Sequence, residues 1–231
     1  MRFLLLLVLT SLSFQSFATD LTTGWKKISS KDGIKVYTKS TKDSPIQYLR
    51  AKGIVSASVT NITAILRNVE HSKEWVPNLV ERSYVQNISD TEAILYDVTD
   101  MPWPVSNREM ILHHTLTVSE DKKWLMLNFK SVDHPNAKHN DDFVRAKVEF
   151  GLIKFRPIED GERTELEMII LVDPMGAIPT WVVNLMQVSI PYDMIMALNE
   201  YAVETKFKPL PGVLSLINQV SGDEDKIANE N

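Results

Sequence analysis

The feature that most constrains the fold is a series of strand-like segments followed by one long segment of helical character. Between residues 79 and 172, apolar and polar side chains alternate with the period of a strand. The predicted strands are Val80–Asn87, Glu92–Val98, Arg108–Val118, Trp124–Val132, Phe143–Arg156 and Arg163–Val172. Residues 180–192 carry no charge, and Pro179 suits a first helical turn, which predicts a helix from Thr180 to about Lys206.

The fold class predicted from this order is α+β. Two further strands, Ile34–Thr38 and Ile46–Val55, and a helix near residues 60–67 precede the strand-rich part. The sheet should be long, curved and antiparallel with one apolar face, and the C-terminal helix, about 40 Å long at the standard rise, should cover that face. Gly151 interrupts the alternation of its strand, so we expect a bulge there.

The first 18 residues have the pattern of a signal peptide. Arg2 is followed by the apolar run Phe3–Leu9 and by the small residues of Ser16-Phe17-Ala18, so cleavage is expected after Ala18. The run is too short for a membrane anchor, which is the alternative. We therefore expect an exported, periplasmic protein with one domain over residues 19–210. The tail 211–231 is interpreted either as a docking segment or as a frayed end.

Composition excludes several classes of function. The net charge of −5 disfavours nucleic acid as a partner. The absence of cysteine rules out disulfides, thiolate catalysis and Cys-based zinc sites. His113 and His114 should point to opposite faces of a strand, and His134 and His139 lie in a polar loop, so we expect no metal site. No nucleophile elbow, phosphate-binding loop or dinucleotide fingerprint is present, and no cofactor is expected.

The segment from Tyr96 to Arg108 predicts a polar spot inside an apolar space. Counting by twos from Met110 and Leu112 places Arg108 and His114 on the apolar face of their strand. Glu92 and Tyr96 share the parity of the apolar residues in the preceding strand, so we expect them on the same face. A buried arginine requires a partner or water. A structural ion pair with Glu92 is one interpretation, and contact with a ligand is the other.

Three runs of the sequence resemble the START domain family of lipid-transfer modules. They are Asp32-Gly-Ile-Lys-Val-Tyr37, Met101-Pro-Trp-Pro-Val-Ser-Asn-Arg-Glu109 and Asp173-Pro-Met-Gly-Ala-Ile-Pro-Thr-Trp181. The central run is particularly similar to that of phosphatidylcholine transfer protein. The resemblance spans residues 25 to 206 and implies a helix-grip fold with a lipid-sized hydrophobic cavity between sheet and helix.

The resemblance also implies roles for individual segments. The loop Asp133–Asp142 matches the flexible loop at the mouth of the family's tunnel. Some sterol-binding members have an arginine six positions beyond the one matched by Arg108, and this chain has His114 there. The expected lipid-binding residues lie on the strands and on one face of the long helix: Glu92, Tyr96, Arg108, Met110, Leu112, His114, Met168, Trp181, Leu185, Val188 and Tyr192.

The expected function is therefore non-covalent binding of one lipid or sterol-like molecule by a monomer, with transient contact to a membrane and no chemical step. An enzyme on the same architecture, such as a cyclase or isomerase using Arg108, His114 or Tyr96, is one alternative. A ligand-dependent adaptor for another periplasmic protein is the other.

Overall fold

A computed structural model describes residues 21–42, 46–137 and 139–220. The predicted signal peptide 1–18 and the last residues of the tail lie outside the described residues. The elements in chain order are β1 Lys26–Lys31, β2 Ile34–Ser40, β3 Gln47–Val55, α1 Val59–Arg67, a 3₁₀ turn Ser72–Glu74, β4 Leu79–Ser89, β5 Glu92–Thr99, β6 Arg108–Val118, β7 Leu125–Ser131, β8 Val144–Arg145, β9 Lys147–Ile158, β10 Arg163–Asp173, α2 Thr180–Glu204 and α3 Pro211–Ile217.

The described strands form one curved sheet in the order β1-β2-β3-β10-β9-β7-β6-β5-β4. Every neighbouring pair along this order is antiparallel, and the short β8 pairs with β6 in parallel. The chain crosses from β3 to the hairpin β4–β5 through α1, and the last strand, β10, inserts between β3 and β9. The α+β class and the antiparallel sheet covered by a long helix are confirmed, and the arrangement is a helix-grip fold.

The main core lies between the concave face of the sheet and α2. Ile195 and Leu198 of α2 are buried against strand residues such as Ala51 and Phe155. The helix passes close to β3 at Gly53, where an added Cβ would lie 3.1 Å from Ile195. The close backbone contacts of α2 are with β2, β3 and α1. The C-terminal half of the helix is therefore seated on one side of the sheet.

Polar contacts fix the C-terminal half of α2. The side-chain amide of Asn61 in α1 donates to the carbonyl oxygens of Ala202 (2.8 Å) and Thr205 (3.0 Å). The backbone N–H of Ser56 donates to the side-chain oxygen of Asn199 at 2.7 Å. Because these bonds join α1 and the end of β3 to the helix, they hold α2 in a defined position over the sheet.

The structure differs from the sequence-based expectation in β9 and shows the conformation of part of the tail. The irregularity in β9 lies at Glu149, where the pairing with β10 shifts, and not at Gly151. Gly151 has a different role, because a Cβ there would lie 2.3 Å from the ring of Phe129. In the tail, Pro211–Ile217 forms α3, and its Val213 is 1% exposed within the main core.

Candidate functional site

The register between β5 and β6 decides which side chains face the interior. His114 lies opposite Ala93, and Met110 lies opposite Asp97. Residues directly opposite in an antiparallel pair point to the same face. Since Leu116 of β6 is part of the core under α2, the concave face carries Arg108, Met110, Leu112 and His114 from β6 and Ala93, Leu95 and Asp97 from β5.

Glu92 and Tyr96 lie on the other face, so the prediction that they share a face with Arg108 and His114 is wrong. The carboxylate of Glu92 is 2.7 Å from Nε2 of His113, and the hydroxyl of Tyr96 donates to Glu109 at 2.8 Å. The error has a physical cause. One end of the outer face is also apolar and buried, since Val98 and Ile111 there are each 1% exposed. The alternation of apolar and polar residues then does not show which side chains of the strand point to the interior.

An ion pair occupies the concave face where the sequence predicted a polar spot. Arg82 of β4 donates from Nε (2.8 Å) and Nη2 (2.6 Å) to the two carboxylate oxygens of Asp97, its partner across the strand pair. The side chains are 12% and 3% exposed. A bidentate pair of this kind satisfies both charges while fixing their orientation. Neither residue was predicted for the site, although Asp97 belongs to the Tyr96–Arg108 segment.

His114 lies on the same face and is held beside Phe129, with ring centroids 5.4 Å apart. Its Nε2 atom is buried and has no hydrogen-bond partner among the described residues. Desolvation, and next the positive charge of Arg82, lower the pKa of His114 to about 3. The ring is therefore neutral at physiological pH, and its free nitrogen can exchange one hydrogen bond with a ligand.

Arg108 is engaged by the backbone of the connection that leads to α2. It donates from Nε to the carbonyl oxygen of Pro174 (3.0 Å), from Nη2 to that of Met175 (2.9 Å) and from Nη1 to that of Ser106. The residue is 4% exposed, and burial lowers its pKa. The predicted ion pair with Glu92 is therefore wrong, and these bonds join the β5–β6 and β10–α2 connections.

Glu109 is a buried acid that the sequence interpretation missed. It is 0% exposed and accepts hydrogen bonds from Tyr96 (2.8 Å), from Arg145 Nε (2.9 Å), from the backbone N–H of Asn140 (3.3 Å) and, in the tautomer with a hydrogen on Nδ1, from His139. Burial raises the pKa of Glu109, but the hydrogen bonds outweigh it and hold the pKa below its usual value. This cluster attaches the loop after β7 to the outer face, and its members are too far apart in sequence for any local pattern to reveal it.

The remaining predicted residues fall into three groups. Leu112 and Met168 are buried, and Met110 is partly buried on the concave face. Tyr192 lies at the β1–β2 turn, where its hydroxyl donates to Asp32, so it is not brought next to His114. The side chains of three α2 residues lie outside the described part of the structure: Trp181, Leu185 and Val188.

Several inward-facing side chains in the middle of the sheet retain accessible surface. Five of them are only partly buried although they lie on the concave face that α2 covers: Met110, His114, Phe129, Ile153 and Val172. The helix contacts the β2–β3 side of the sheet most closely. The side formed by β5, β6 and β7 is therefore less tightly covered.

Two properties of the described residues bear on other functions. None of the described helices has the length and apolar character needed to cross a membrane. Within the same residues, no group of three or more histidine or acidic side chains is placed to hold a metal ion.

Comparison with known proteins identifies the family. The family model described as the START domain matches residues 13–199. The chain belongs to the START domain family. An uncharacterized protein of Pseudomonas aeruginosa is 27% identical over 84% of this chain and 95% of its own length. Human START domain-containing protein 10 is 26% identical over 74% of this chain and 59% of its own length. Human ceramide transfer protein is 26% identical over 56% of this chain, but the match spans only 22% of that protein.

Solved structures show the same fold. A fragment from Xanthomonas axonopodis, described as a STAR-related lipid transfer protein, is 25% identical with a TM-score of 0.68, and the match covers 78% of this chain and 99% of that one. Human STARD10 has a TM-score of 0.71 at 20% identity and covers 94% of this chain and 96% of its own. START family membership implies that this protein binds a lipid or another hydrophobic ligand.

Proposed function

We propose that this START protein holds one lipid between α2 and the β5–β7 side of the sheet and carries or senses it in the periplasm. The observation that supports this most directly is the accessible surface kept by inward-facing Met110, His114 and Phe129 beneath a long helix. A dry space lined by such side chains gains affinity from buried apolar area, about 25 cal/mol per Å². No chemical step is needed.

The polar groups of the concave face orient the lipid in this proposal. His114 Nε2 is free to bond, and the Arg82–Asp97 pair has the fixed geometry needed to receive a headgroup directly or through water. A few placed polar groups in an apolar pocket are the usual source of ligand orientation. The names of similar proteins, which include ceramide transfer protein and STAR-related lipid transfer proteins, agree with this chemistry.

Lipid extraction tests the proposal. The mature chain is purified from its host, extracted with organic solvent and examined by mass spectrometry, and we expect one intact lipid per protein. Met110→Trp should fill the interior and reduce the bound lipid several-fold, whereas Thr115→Trp, on the opposite face of the same strand, should not. A protein that carries no lipid would contradict carriage, and conversion of an added lipid over time would favour an enzyme. Two residues considered as the acid or base of such an enzyme already form hydrogen bonds within the protein: Arg108 and Tyr96.

We also propose that the protein touches membranes transiently at the end of the sheet where Arg108 joins two connections. Trp103 is 88% exposed in one of them, and Met175 is 44% exposed in the other. An exposed tryptophan suits the boundary between headgroups and acyl chains. Trp103→Ser should weaken flotation of the protein with lipid vesicles. Val203→Ser, which removes an apolar side chain that is 54% exposed on α2, should leave flotation unchanged.

Export to the periplasm rests on residues 1–18 alone. Cell fractionation should recover a periplasmic protein whose first residue is Thr19. A cytoplasmic protein that retains Met1 would contradict this part of the proposal.

A further inference from the structure

The last residue of α1, Arg67, places a positive charge at the concave side of the β4–β5 hairpin. Its Nη2 donates to the side-chain oxygen of Asn87 (2.9 Å) and to the carbonyl oxygen of Ser89 (2.9 Å). The hydroxyl of Tyr84 donates to the Arg67 carbonyl at 2.9 Å, and the Tyr84 ring lies 5.8 Å from the guanidinium carbon. All these partners are neutral. Among the described residues, no carboxylate lies within ion-pair distance of Arg67.

The strand register brings Arg67 and His114 to the same part of the interior. Asn87, which anchors Arg67, lies opposite Ala93, and Ala93 lies opposite His114. Asn87 and His114 are thus two strand spacings apart, about 10 Å. The residue between them is an alanine, whose side chain takes little room.

Both side chains have an unused nitrogen facing a buried environment. Nε of Arg67 and Nε2 of His114 are buried and have no hydrogen-bond partner in the described part of the chain. Buried polar atoms without a partner are uncommon in folded proteins, and each requires an explanation. A ligand group that accepts hydrogen bonds would provide one for the arginine and, with the appropriate tautomer, for the histidine.

The charges near this position do not cancel. Arg82 and Asp97 neutralise each other through their bidentate pair. His114 is neutral, because desolvation and the charge of Arg82, with a smaller effect of Arg67, lower its pKa. Arg67 is partly exposed, and its two Nη2 bonds lie near solvent, but no described carboxylate pairs with its charge and its Nε is buried without a partner. A charge-assisted hydrogen bond from this Nε to an anionic group would supply both the partner and the opposite charge.

We infer that the lipid taken up by this protein carries one negative charge on its polar group and that this group lies between Arg67 and His114. The inference rests on the proposed function and names its ligand class. A phosphodiester lipid and a fatty acid carboxylate share the required chemistry. A neutral lipid of equal apolar area would bury as much surface but leave the guanidinium unpaired.

A competition between acidic and neutral lipids tests the inference. The delipidated mature chain is incubated with vesicles of equimolar phosphatidylglycerol and digalactosyldiacylglycerol, which has neither a phosphate nor a charge, and, separately, with digalactosyldiacylglycerol vesicles containing equal amounts of oleic acid and oleyl alcohol at pH 8. The protein is re-isolated and its lipids are quantified by mass spectrometry. We expect the acidic member to exceed the neutral one by at least about tenfold, which corresponds to one charge-assisted contact. The first mixture reports on phosphodiesters and the second on carboxylates.

Matched variants separate the site from overall charge. Arg67→Gln should remove the preference for the acidic lipid. Arg67→Lys keeps the charge and should retain part of that preference. The lysine variant thereby shows whether a loss in the glutamine variant comes from the charge or from a folding defect. Arg163→Gln removes the same charge at the start of β10, about 24 Å along that strand from the row containing His114, and should change nothing. Equal uptake of acidic and neutral lipids, or a preference that survives Arg67→Gln, would overturn the inference and leave lipid binding intact. Uptake of no lipid at all would overturn the proposed function as well.

Discussion

Arg82 and Asp97 face each other across β4 and β5 and form two hydrogen bonds of 2.8 and 2.6 Å on the concave face of the sheet. A buried pair of this kind stabilises the fold only while both partners are present, because either charge alone would lack compensation.

We therefore expect Asp97→Asn to lower the free energy of unfolding by about 3–5 kcal/mol. The double variant Arg82→Met with Asp97→Leu should recover most of this loss, since it buries no unpaired charge. Urea denaturation of the three proteins measures both effects. Equal stability of the single variant and the wild type would contradict the assignment of the pair to the interior.

Arg108 should act mainly on stability. Its guanidinium bonds to three backbone carbonyls around the β10–α2 connection, so Arg108→Leu should lower the free energy of unfolding by about 3 kcal/mol. Hydrogen exchange should rise at residues 174–182, and Arg108→Lys should be intermediate, because lysine lacks the planar fork. A leucine variant with unchanged stability and lost lipid uptake would instead favour a direct contact with the ligand.

Glu109 should make stability depend on pH in the acid range. Hydrogen bonds hold its pKa in the folded protein below the usual 4.5. Its contribution is therefore fully present above pH 4.5 and is lost as the pH falls through the lowered value. Glu109→Gln should lower the free energy of unfolding by about 2–3 kcal/mol at pH 7. It should also make that free energy less dependent on pH below pH 4.5. Denaturation at several pH values tests this, with Glu162→Gln, an exposed acid, expected to behave like the wild type.

His114 should not titrate in the physiological range. With its pKa lowered from 6.5 to about 3, the folded protein leaves the ring neutral while the unfolded chain takes up a proton below pH 6.5. Stability should then decline as the pH falls from 6.5 towards 3, and His114→Phe should reduce that decline. Nuclear magnetic resonance of the ring carbons provides the measurement. A titration midpoint near 6.5 would show that the ring is solvated.

Gly151 and Phe129 should be coupled. A Cβ at residue 151 would lie 2.3 Å from the ring of Phe129, so Gly151→Ala should destabilise by about 1–3 kcal/mol. In the background of Phe129→Leu the same change should cost less, and the double-mutant cycle measures the difference. Additive effects would mean that the two residues do not constrain each other.

The sequence predicted the elements of this fold well because their signals are local. The strand predicted as Arg108–Val118 has those bounds in the structure, and the helix predicted from Thr180 begins there. The same reasoning placed Glu92 and Tyr96 on the wrong face. Side-chain direction follows from alternation only where one face of a sheet is polar and meets water, and β5 carries apolar residues on both faces, with Val98 buried on the outer one.

By itself, the sequence determined the order of strands and helices, the α+β class and, through its three matching runs, the resemblance to the START family. The tertiary structure alone decided that Arg82 pairs with Asp97, that Arg108 bonds to the carbonyls before α2 and that Glu109 collects donors from β5, β8 and the loop after β7. Periodicity is a property of neighbouring residues, whereas these contacts join residues up to 67 positions apart and exist only once the strand register is fixed.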